Sequence, residues 1–284
     1  LDRFDNRMPH ALCPLCGKRP AEKGTEKSLP GVDAQPVCSV CRDHVFIGSS
    51  LVKKGRIIVV EADSISHEIR DALLKPLFGR RQILFPSDDE RNMPPGDHIL
   101  KHWDISLGST NHGNGRVTRK YVNGYVPIYE EKDLHDAGFL QTEKSEKKKL
   151  EMIDDVQVGA IKSLHHIAAA ALTLGPDGGK KGIDALGVLK ADVDLLGMLM
   201  GCGLSGNRFT ISRLAALSRQ VNYYFALYLP HLLETEFADV YTVFAGGDDL
   251  FLIGPWNRIY QLAFRLEKTF GAYVCDNPEI HFSA

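Results

Sequence analysis

Val240-Tyr-Thr-Val-Phe-Ala-Gly-Gly-Asp-Asp-Leu-Phe-Leu-Ile-Gly254 consists of two apolar segments joined by two glycines and two acids. Gly246 and Gly247 can adopt the positive φ values that a tight hairpin turn requires, and they carry no side chain that would keep a ligand from the backbone. Asp248 and Asp249 are then expected at the start of the second strand. Paired carboxylates there suit a hard cation such as Mg²⁺. Taken alone, this stretch fits an ordinary hairpin with solvated acids equally well.

A second apolar segment, Ala185-Leu-Gly-Val-Leu-Lys-Ala-Asp-Val-Asp-Leu-Leu-Gly197, also runs into two acids. Residues two apart on a strand share a face, so Asp192 and Asp194 are predicted to point the same way. If this strand lies beside the hairpin, Asp192 comes close to Asp248. The sheet then offers a carboxylate cluster able to hold two divalent ions, Mg²⁺ or Mn²⁺, as nucleotidyl transfer requires.

Three acids are the predicted catalytic residues, namely Asp192, Asp248 and Asp249. Asp192 and Asp248 are the predicted metal ligands, with the backbone carbonyl of Val193 assisting. Asp249 follows Asp248 on the strand and faces the other way by alternation. It is therefore either a residue that supports the ligands from outside or a ligand brought in by local twist.

The order of these motifs resembles the palm of nucleotide cyclases and polymerases. More narrowly, it resembles the large polymerase-like subunit of type III CRISPR effector complexes, the Cas10 family with its Csm1-like members. Diguanylate cyclases share the palm but usually carry Gly-Gly-Glu-Glu-Phe at the turn. A four-cysteine cluster near the start also fits the resemblance, and the matching segments are Leu189-Lys-Ala-Asp-Val-Asp-Leu-Leu-Gly197, Ile211-Ser-Arg-Leu-Ala-Ala-Leu-Ser-Arg219 and Phe244-Ala-Gly-Gly-Asp-Asp-Leu-Phe-Leu-Ile-Gly-Pro-Trp256.

The resemblance implies a metal-dependent nucleotidyltransferase that converts ATP to cyclic oligoadenylate within an RNA-guided antiviral complex. It implies guide RNA, target RNA and other Cas subunits as partners, in the cytoplasm of a prokaryote. Two other functions stay open. The palm could be catalytically idle and serve as a scaffold for guide RNA and partner subunits, or it could be a cyclic-dinucleotide cyclase.

The resemblance also implies positions that contact the nucleotide. Ser218 is a predicted nucleotide contact by this resemblance. The other predicted cofactor-binding positions are Val193, through its carbonyl, and Gly246 and Gly247, which leave the backbone open to a ligand. The family usually has Asn where this chain has Leu195, so the polar contact of that side chain is missing here.

Two C-x₂-C knuckles, Cys13-Pro-Leu-Cys16 and Cys38-Ser-Val-Cys41, predict a zinc site. Four thiolates at this spacing can surround one Zn²⁺ tetrahedrally and leave no open position, so the ion is expected to be structural. Two disulfides or four unrelated buried cysteines are the rival interpretations, and the lack of a secretory signal pattern argues against disulfides. Cys202 and Cys275 are predicted to be core residues.

The composition, with 44% apolar and 25% charged residues among 284, is that of a globular protein with room for roughly two domains. We predict an α+β protein with a zinc module over 1–50, a small mixed connector over 51–150 and a ferredoxin-like palm over 151–284. A charge run at 143–150 marks the last boundary. The chain begins without Met and ends within a predicted strand, so we expect a piece of a longer protein whose palm continues.

Charge and hydropathy exclude some partners. A net charge of −2 argues against nonspecific nucleic-acid binding by charge alone, although it leaves room for a local basic groove. No apolar run reaches the roughly 18 residues that a membrane span needs, so no membrane partner is expected.

Histidines that could pass for ligands, His135 beside Asp136 and the pair His165-His166, are assigned structural or surface roles. An HD-type nuclease site needs further ligands from other helices, and in the family such a domain would precede residue 1. The remaining predicted elements are strands at 56–61, 82–85, 119–126, 239–244, 250–254 and from 279, and helices at 156–174, 208–234 and 256–270. The apolar and aromatic stripe of the 208–234 helix is assigned to the core, not to base stacking.

Overall fold

A computed structural model describes residues 11–25, 35–64, 72–86, 94, 98–106, 117–122, 124–134, 156, 158–176 and 179–283. The chain divides into two compact units, Leu1–Tyr121 and Val122–Ala284. The predicted division into three parts places its boundaries elsewhere and stays a prediction. Its charge-run boundary at 143–150 and the His135-Asp136 dipeptide lie outside the described residues.

Among its described residues, the first unit contains one α-helix and a four-stranded sheet of order β2-β1-β3-β4. Strand β1 pairs antiparallel with β2 and β3, and β4 joins β3 in parallel. Alternate residues of β1, Ile58 and Val60, are fully buried and form a small core with Leu84. The elements are α1 (Ser39–Lys53), β1 (Arg56–Glu61), a 3₁₀ turn (Ala62–Ser64), β2 (Arg81–Leu84), β3 (Ile99–Asp104) and β4 (Thr118–Arg119).

The strands predicted at 56–61 and 82–85 are confirmed. Of the strand predicted over 119–126, only its first residue lies in a strand, and the prediction is wrong at 120–122 and 124–126. Two elements were not predicted. Strand β3 contains Lys101 and His102 and shows no clean alternation of burial, so the period-two signal is absent. Helix α1 begins directly at the second cysteine knuckle, where Cys38 caps it by accepting a hydrogen bond from the Cys41 N–H.

The second unit contains a four-stranded sheet, a two-stranded hairpin and five α-helical segments among its described residues. Helices α4 and α5 are joined without a break by a π-helical segment, Tyr224–Tyr228. Short 3₁₀ turns occupy Glu131–Leu134 and Gly206–Arg208. The other elements are α2 (Leu164–Ala169), β5 (Thr173–Leu174), β6 (Lys180–Lys181), β7 (Leu186–Val193), α3 (Leu196–Cys202), α4 (Ile211–Tyr223), α5 (Leu229–Glu236), β8 (Tyr241–Gly246), β9 (Asp249–Pro255), α6 (Trp256–Tyr273) and β10 (Phe282–Ser283).

The larger sheet has the order β10-β7-β9-β8, with every neighbouring pair antiparallel. Helical segments α4 and α5 connect β7 to β8, and α6 connects β9 to β10. This βαββαβ order is the ferredoxin-like palm topology predicted from the sequence, and the prediction is confirmed. The two central strands, β7 and β9, are those that carry the predicted catalytic acids at one end.

The core of the palm forms between one face of this sheet and the helices α4–α5 and α6. Helix α6 buries Ile259, Leu262, Leu266 and Phe270, which recur at helical spacing. The predicted aromatic stripe lies in this core, since Tyr224 and Phe225 are fully buried in the π-helical segment. The Tyr224 hydroxyl shares a 2.8 Å hydrogen bond with Thr269 Oγ1 of α6.

Two glycines on neighbouring strands allow α6 to approach the sheet. Gly187 of β7 and Gly254 of β9 are direct partners in the pairing register. A Cβ at Gly187 would lie 2.9 Å from the Trp256 Cα and from the Ile259 Cβ, and one at Gly254 would lie 2.8 Å from the Val240 Cγ2. Such distances are shorter than carbon contacts permit, so any side chain would push the helix or a neighbouring residue away.

The helix predicted over 156–174 is wrong at both ends, because α2 covers only Leu164–Ala169. The preceding residues instead pair with the 127–129 segment, through an Ile128–Ile161 bridge and a 2.9 Å bond from the Lys162 N–H to the Pro127 carbonyl. Tertiary pairing has overridden local helix propensity here. The core prediction for the two lone cysteines is also wrong, since Cys202 and Cys275 are both exposed.

A membrane span is not found among the helices of the described residues, none of which is both long and apolar enough.

Candidate functional site

The predicted acidic turn is a two-residue hairpin loop, Gly247-Asp248, between β8 and β9. Gly246 and Asp249 pair across the hairpin and close it. Gly247 adopts a φ of 70°, which suits the first position of a tight hairpin loop. A Cβ at Gly247 would meet no atom within 4 Å, so the turn is open to an approaching ligand. The turn thus lies one residue later than predicted, and Gly246 is the last residue of β8.

The turn brings three carboxylates together at the end of the two central strands. Asp192 of β7 lies directly opposite Asp249 of β9 in the register, and Asp248 precedes Asp249 in the turn. One carboxylate oxygen from each of these residues lies within 4.8 Å of the others. The backbone N–H of Val193 donates a 2.8 Å bond to the Asp248 carbonyl and ties the turn to β7.

Asp249 belongs to this cluster, although strand alternation predicted that it faces away from Asp248. Alternation does not apply between them, because Asp248 lies in the turn and β9 begins only at Asp249. As the cross-strand partner of Asp192, Asp249 shares a face with it. The cluster therefore offers three ligands where two were predicted.

The electrostatics of the cluster favour a bound cation. Asp192 is exposed, but desolvation by neighbouring atoms, the hydrogen bond with Asp249 and the charge of Asp248 all raise the pKa of its carboxyl group. Like charges this close disfavour simultaneous ionisation, and a divalent cation removes the penalty. Three carboxylate oxygens are also the donors that Mg²⁺ and Mn²⁺ prefer. The residues present fit such an ion.

Asp194 does not join the cluster, which corrects the expectation that it shares a face with Asp192. Strand β7 ends at Val193, so alternation stops before Asp194. Its Oδ2 lies 3.1 Å from His281 Nε2 and accepts a hydrogen bond from the Ser283 hydroxyl. Through these contacts with His281 and Ser283, Asp194 stabilises the edge strand β10 beside the site. No local pattern pointed to His281 or Ser283, because nearly 90 residues separate them from Asp194 in the sequence.

Leu195, where the family usually has Asn, is the N-cap residue directly before α3 and adopts a left-handed conformation with a φ of 58°. A branched apolar side chain is disfavoured there, whereas Asn adopts this conformation readily. The Leu195 side chain is 55% exposed, so its removal leaves no cavity.

We therefore expect Leu195→Asn to raise the free energy of unfolding by about 1 kcal/mol, measured by urea denaturation. Met198→Asn is the matched control, since Met198 is 61% exposed within the same short helix but has no positive φ. The control is expected to lose a few tenths of a kcal/mol, roughly the difference in helix propensity. If both substitutions change the free energy of unfolding equally, the left-handed backbone at Leu195 is not strained.

Ser218, the predicted nucleotide contact, is exposed on α4. Among the described residues, no hydrogen bond joins it to the three acids. Its role stays a prediction.

The four predicted zinc ligands lie together in the first unit. The sulfur atoms of Cys13, Cys16, Cys38 and Cys41 are all within 4.8 Å of one another, and the Cys16 and Cys38 sulfurs are 3.9 Å apart. All four cysteines are free thiols in this arrangement. The interpretation as four unrelated cysteines is therefore wrong.

The cysteine cluster also favours a dication. Burial opposes ionisation of Cys13, but hydrogen bonds from the backbone of Cys38 and Cys16 outweigh it and lower the pKa of Cys13 to about 6. Burial and the neighbouring sulfurs raise the pKa of Cys41 to about 12. Backbone hydrogen bonds lower the pKa of Cys16 as well, so ionisation is favoured at Cys13 and Cys16 and opposed at Cys41. A cation is needed to hold all four sulfurs as thiolates. Four sulfurs at these distances fit Zn²⁺.

A ferredoxin-like sheet with three carboxylates at the hairpin between its central and edge strands defines this unit as a palm domain. Residues 185–284 match the family model described as Cas10/Cmr2, second palm domain. Together with the curated relatives that follow, this match supports a subunit similar to Cas10/Csm1.

Curated relatives carry the name CRISPR system single-strand-specific deoxyribonuclease Cas10/Csm1, subtype III-A. The protein from Methanocaldococcus jannaschii is 40% identical over 116 residues, which cover 37% of this chain and 14% of that protein. The protein from Thermococcus onnurineus is 26% identical over 283 residues, covering 93% of this chain and 29% of that protein. The chain thus spans less than a third of the length of these relatives.

Solved structures of Csm1 share the fold at low sequence identity. The Csm1–Csm4 cassette in complex with one ATP has a TM-score of 0.56 and 20% identity, covering 86% of this chain and 29% of that chain. The cassette in complex with cA3 has a TM-score of 0.52 and 18% identity, covering 81% of this chain and 28% of that chain.

Proposed function

We propose that the palm is a metal-dependent nucleotidyltransferase that joins ATP molecules into cyclic oligoadenylate. The observation that carries this proposal is the cluster of Asp192, Asp248 and Asp249, whose oxygens lie within 4.8 Å of one another at an open turn. Nucleotidyl transfer depends on positioning and charge neutralisation, which such a cluster supplies without a protein nucleophile.

In this proposal the chain holds Mg²⁺ or Mn²⁺ through the oxygens of Asp192, Asp248 and Asp249, assisted by the Val193 carbonyl. When bound, two such ions lower the pKa of the attacking 3′-hydroxyl of one ATP and stabilise the pyrophosphate that leaves from the α-phosphate of a second ATP. The bare Gly247 lets phosphate groups approach the turn. The bond from the Val193 N–H to the Asp248 carbonyl keeps Asp248 in place beside Asp192.

The choice of ATP rests on the relatives. Csm1–Csm4 cassettes of the same fold have been solved with one ATP and with cA3. ATP and cA3 are ligands of those proteins. At 18–20% sequence identity, the similarity of this chain to them is a similarity of fold. The cluster itself supports metal-dependent phosphate chemistry whichever base the nucleotide carries.

The proposal is tested by incubating the purified full-length protein, in the complex in which it is isolated, with ATP and Mg²⁺. Cyclic oligoadenylate is expected by mass spectrometry, and its loss on addition of EDTA is expected as well. Cyclic dinucleotides from GTP with none from ATP would favour the cyclase alternative. Intact ATP under all conditions, with complex assembly preserved, would favour an idle palm that serves as a scaffold.

We further propose that the chain works inside a prokaryotic ribonucleoprotein with guide RNA, target RNA and other Cas subunits. Support comes from the Cas10/Csm1 relatives of CRISPR systems and from the Csm1–Csm4 subcomplex of a type III-A CRISPR–Csm interference complex, which shares the fold with a TM-score of 0.55. The deoxyribonuclease activity in the relatives' names is not assigned to this chain.

We also propose that Cys13, Cys16, Cys38 and Cys41 bind one structural Zn²⁺. Replacing Cys16 with Ser is expected to reduce zinc from one ion per chain to none and to unfold the first unit, because metal binding and folding are coupled. Elemental analysis gives the zinc content, and limited proteolysis reports the folding of this unit. Cys202→Ser is the matched control, since Cys202 is exposed and lies outside the cluster. Full zinc content in Cys16→Ser would contradict the assignment.

A further inference from the structure

The tip loop, residues 74–81 of the first unit, presents a phenylalanine that packs against almost nothing. Phe78 is 97% exposed, the largest exposed fraction among the large apolar side chains that the structure describes. Its φ of 53° is left-handed, a conformation that bulky residues rarely adopt. The fold keeps an aromatic ring in solvent, on strained backbone, without any packing in return. Strain of this kind concentrates at functional positions.

The tip loop is held firmly by backbone hydrogen bonds. Leu77 and Arg81 exchange two backbone bonds of 2.7 and 3.0 Å across the turn. At its base, the N–H groups of Leu74 and Lys75 donate to the Asp43 carboxylate at 2.8 and 3.1 Å. Asp43 is 6% exposed on α1, so the loop is anchored to the helix that begins at the cysteine knuckle. The ring is therefore presented at a fixed place.

Cations flank this ring on both sides in the sequence. Lys75, Arg80 and Arg81 are all exposed, and no acid lies between Asp71 and Asp88 in the sequence. Besides Asp43 at the base of the loop, two acids among the described residues approach from elsewhere: Glu22 lies 3.7 Å from Lys75 Nζ, and Glu61 is opposite Arg81 in the strand register. The exposed Lys75–Glu22 ion pair is weak, so a phosphate can replace Glu22 as the partner of Lys75.

An exposed aromatic ring beside cations is the arrangement that binds single-stranded nucleic acid. A base stacks on the ring, and the flanking Lys and Arg side chains neutralise the phosphates on either side of that base. A pocket on a partner protein would also accept the ring. Three cations with no acid in the same segment favour a polyanion over such a pocket.

We propose that the tip loop binds single-stranded nucleic acid by stacking a base on Phe78 between phosphates held by Lys75, Arg80 and Arg81. This inference rests on the proposed ribonucleoprotein function and assigns one of its RNA contacts to a defined surface.

The test measures binding of a fluorescein-labelled single-stranded RNA of 20 uridines to the full-length protein, by anisotropy and without ATP or Mg²⁺. Phe78→Ala is expected to raise the Kd by about 5- to 150-fold, the effect of losing one base–aromatic stack. Phe78→Trp is expected to restore binding. Arg80→Ala/Arg81→Ala is expected to reduce the slope of log Kd against log salt by about 1.4, since two phosphate contacts are lost.

Phe264→Ala is the matched control, because Phe264 is a 56% exposed aromatic residue in the other unit, and its Kd is expected to be unchanged. Phe78→Gly distinguishes an effect on RNA affinity from an effect on the stability of the fold. It is expected to lose affinity without lowering the melting temperature, since Gly accepts the left-handed φ. An unchanged Kd for Phe78→Ala would overturn the proposal. So would loss of a protein subunit from the Phe78→Ala complex with RNA affinity preserved. Neither result bears on oligoadenylate synthesis, which is measured separately with ATP.

Discussion

The protein carrying Asp248→Ala and Asp249→Ala is expected to make no detectable cyclic oligoadenylate from ATP. Two of the three carboxylates that lie within 4.8 Å of one another are then missing, so neither metal ion is held. Loss of a single preorganised electrostatic contact in an active site costs about 10²–10³ in rate. We therefore expect the double substitution to reduce the rate by more than about 10³-fold, measured by chromatography of radiolabelled ATP products in the assembled complex.

The same substitution is expected to leave folding intact. Asp192 and its neighbours repel one another in the absence of a cation, as the raised pKa of Asp192 indicates. Removal of two charges relieves that repulsion, so the melting temperature without added metal is expected to stay constant or to rise.

A matched control removes two other exposed acids from the same unit, Asp184 and Glu267, by substitution with alanine. This control is expected to retain synthesis. Oligoadenylate production by the Asp248→Ala/Asp249→Ala complex at the wild-type rate would show that this hairpin is not the catalytic site. A loss of assembly in that complex would mean that the turn has a structural role instead.

Lys162→Met is expected to destabilise the second unit strongly. The Lys162 side chain is 8% exposed. Its Nζ lies 3.1 Å from Oδ1 of Asp133 and 3.1 Å from Oδ1 of Asp239. Asp133 is itself 7% exposed and also lies 3.5 Å from His166 Nε2. Removing the central cation leaves a buried carboxylate without its main partner. The expected cost is about 3–5 kcal/mol, measured as the free energy of unfolding in urea.

The pH dependence of this network follows from Asp133. Burial alone would raise the pKa of Asp133, but the bond from the Glu130 N–H and the charge of Lys162 lower it below its usual value. A lowered pKa means that the stabilisation is present above the unfolded-state pKa of about 3.9 and is lost as the pH falls through the folded-state value. We therefore expect wild type to lose stability on acidification below about pH 4, and Lys162→Met to lose less.

Lys132→Met is the matched control for this experiment. Lys132 pairs with Glu130 at 2.8 Å in the same segment, but both side chains are more than half exposed. Such a pair contributes about 0–1 kcal/mol. A second variant, Lys162→Met/Asp133→Leu, removes the stranded carboxylate and is expected to recover part of the loss. If Lys162→Met costs no more than Lys132→Met, the network does not stabilise the fold.

The palm and its acids could be predicted because their signals are local. The Gly-Gly-Asp-Asp turn, the apolar strands on both sides and the amphipathic helix α6 each follow from neighbouring residues. The cysteine cluster was equally accessible, since two knuckles at this spacing have few other uses. What placed Asp192 beside the turn was the expected strand order, which the register of β7 with β9 bears out.

The features that the sequence did not reveal depend on contacts between distant residues. Lys162 lies where helix propensity predicted a helix, yet its backbone pairs with Pro127 and its side chain with Asp239. Asp194 leaves the cluster because β7 ends one residue earlier than alternation assumed. Phe78 looks like an ordinary apolar residue in the sequence. Only its exposed fraction and its positive φ distinguish it.

The facing glycines at 187 and 254 have a consequence for how this palm can change over time. Neither residue touches the acids, but a methyl group at either position would meet atoms at 2.8–2.9 Å. In a library that samples every substitution, both positions are expected to tolerate no other residue. A homologue that has lost its acids but still folds would keep both glycines. Their presence together with missing acids would therefore mark a palm that has kept its shape after losing its chemistry.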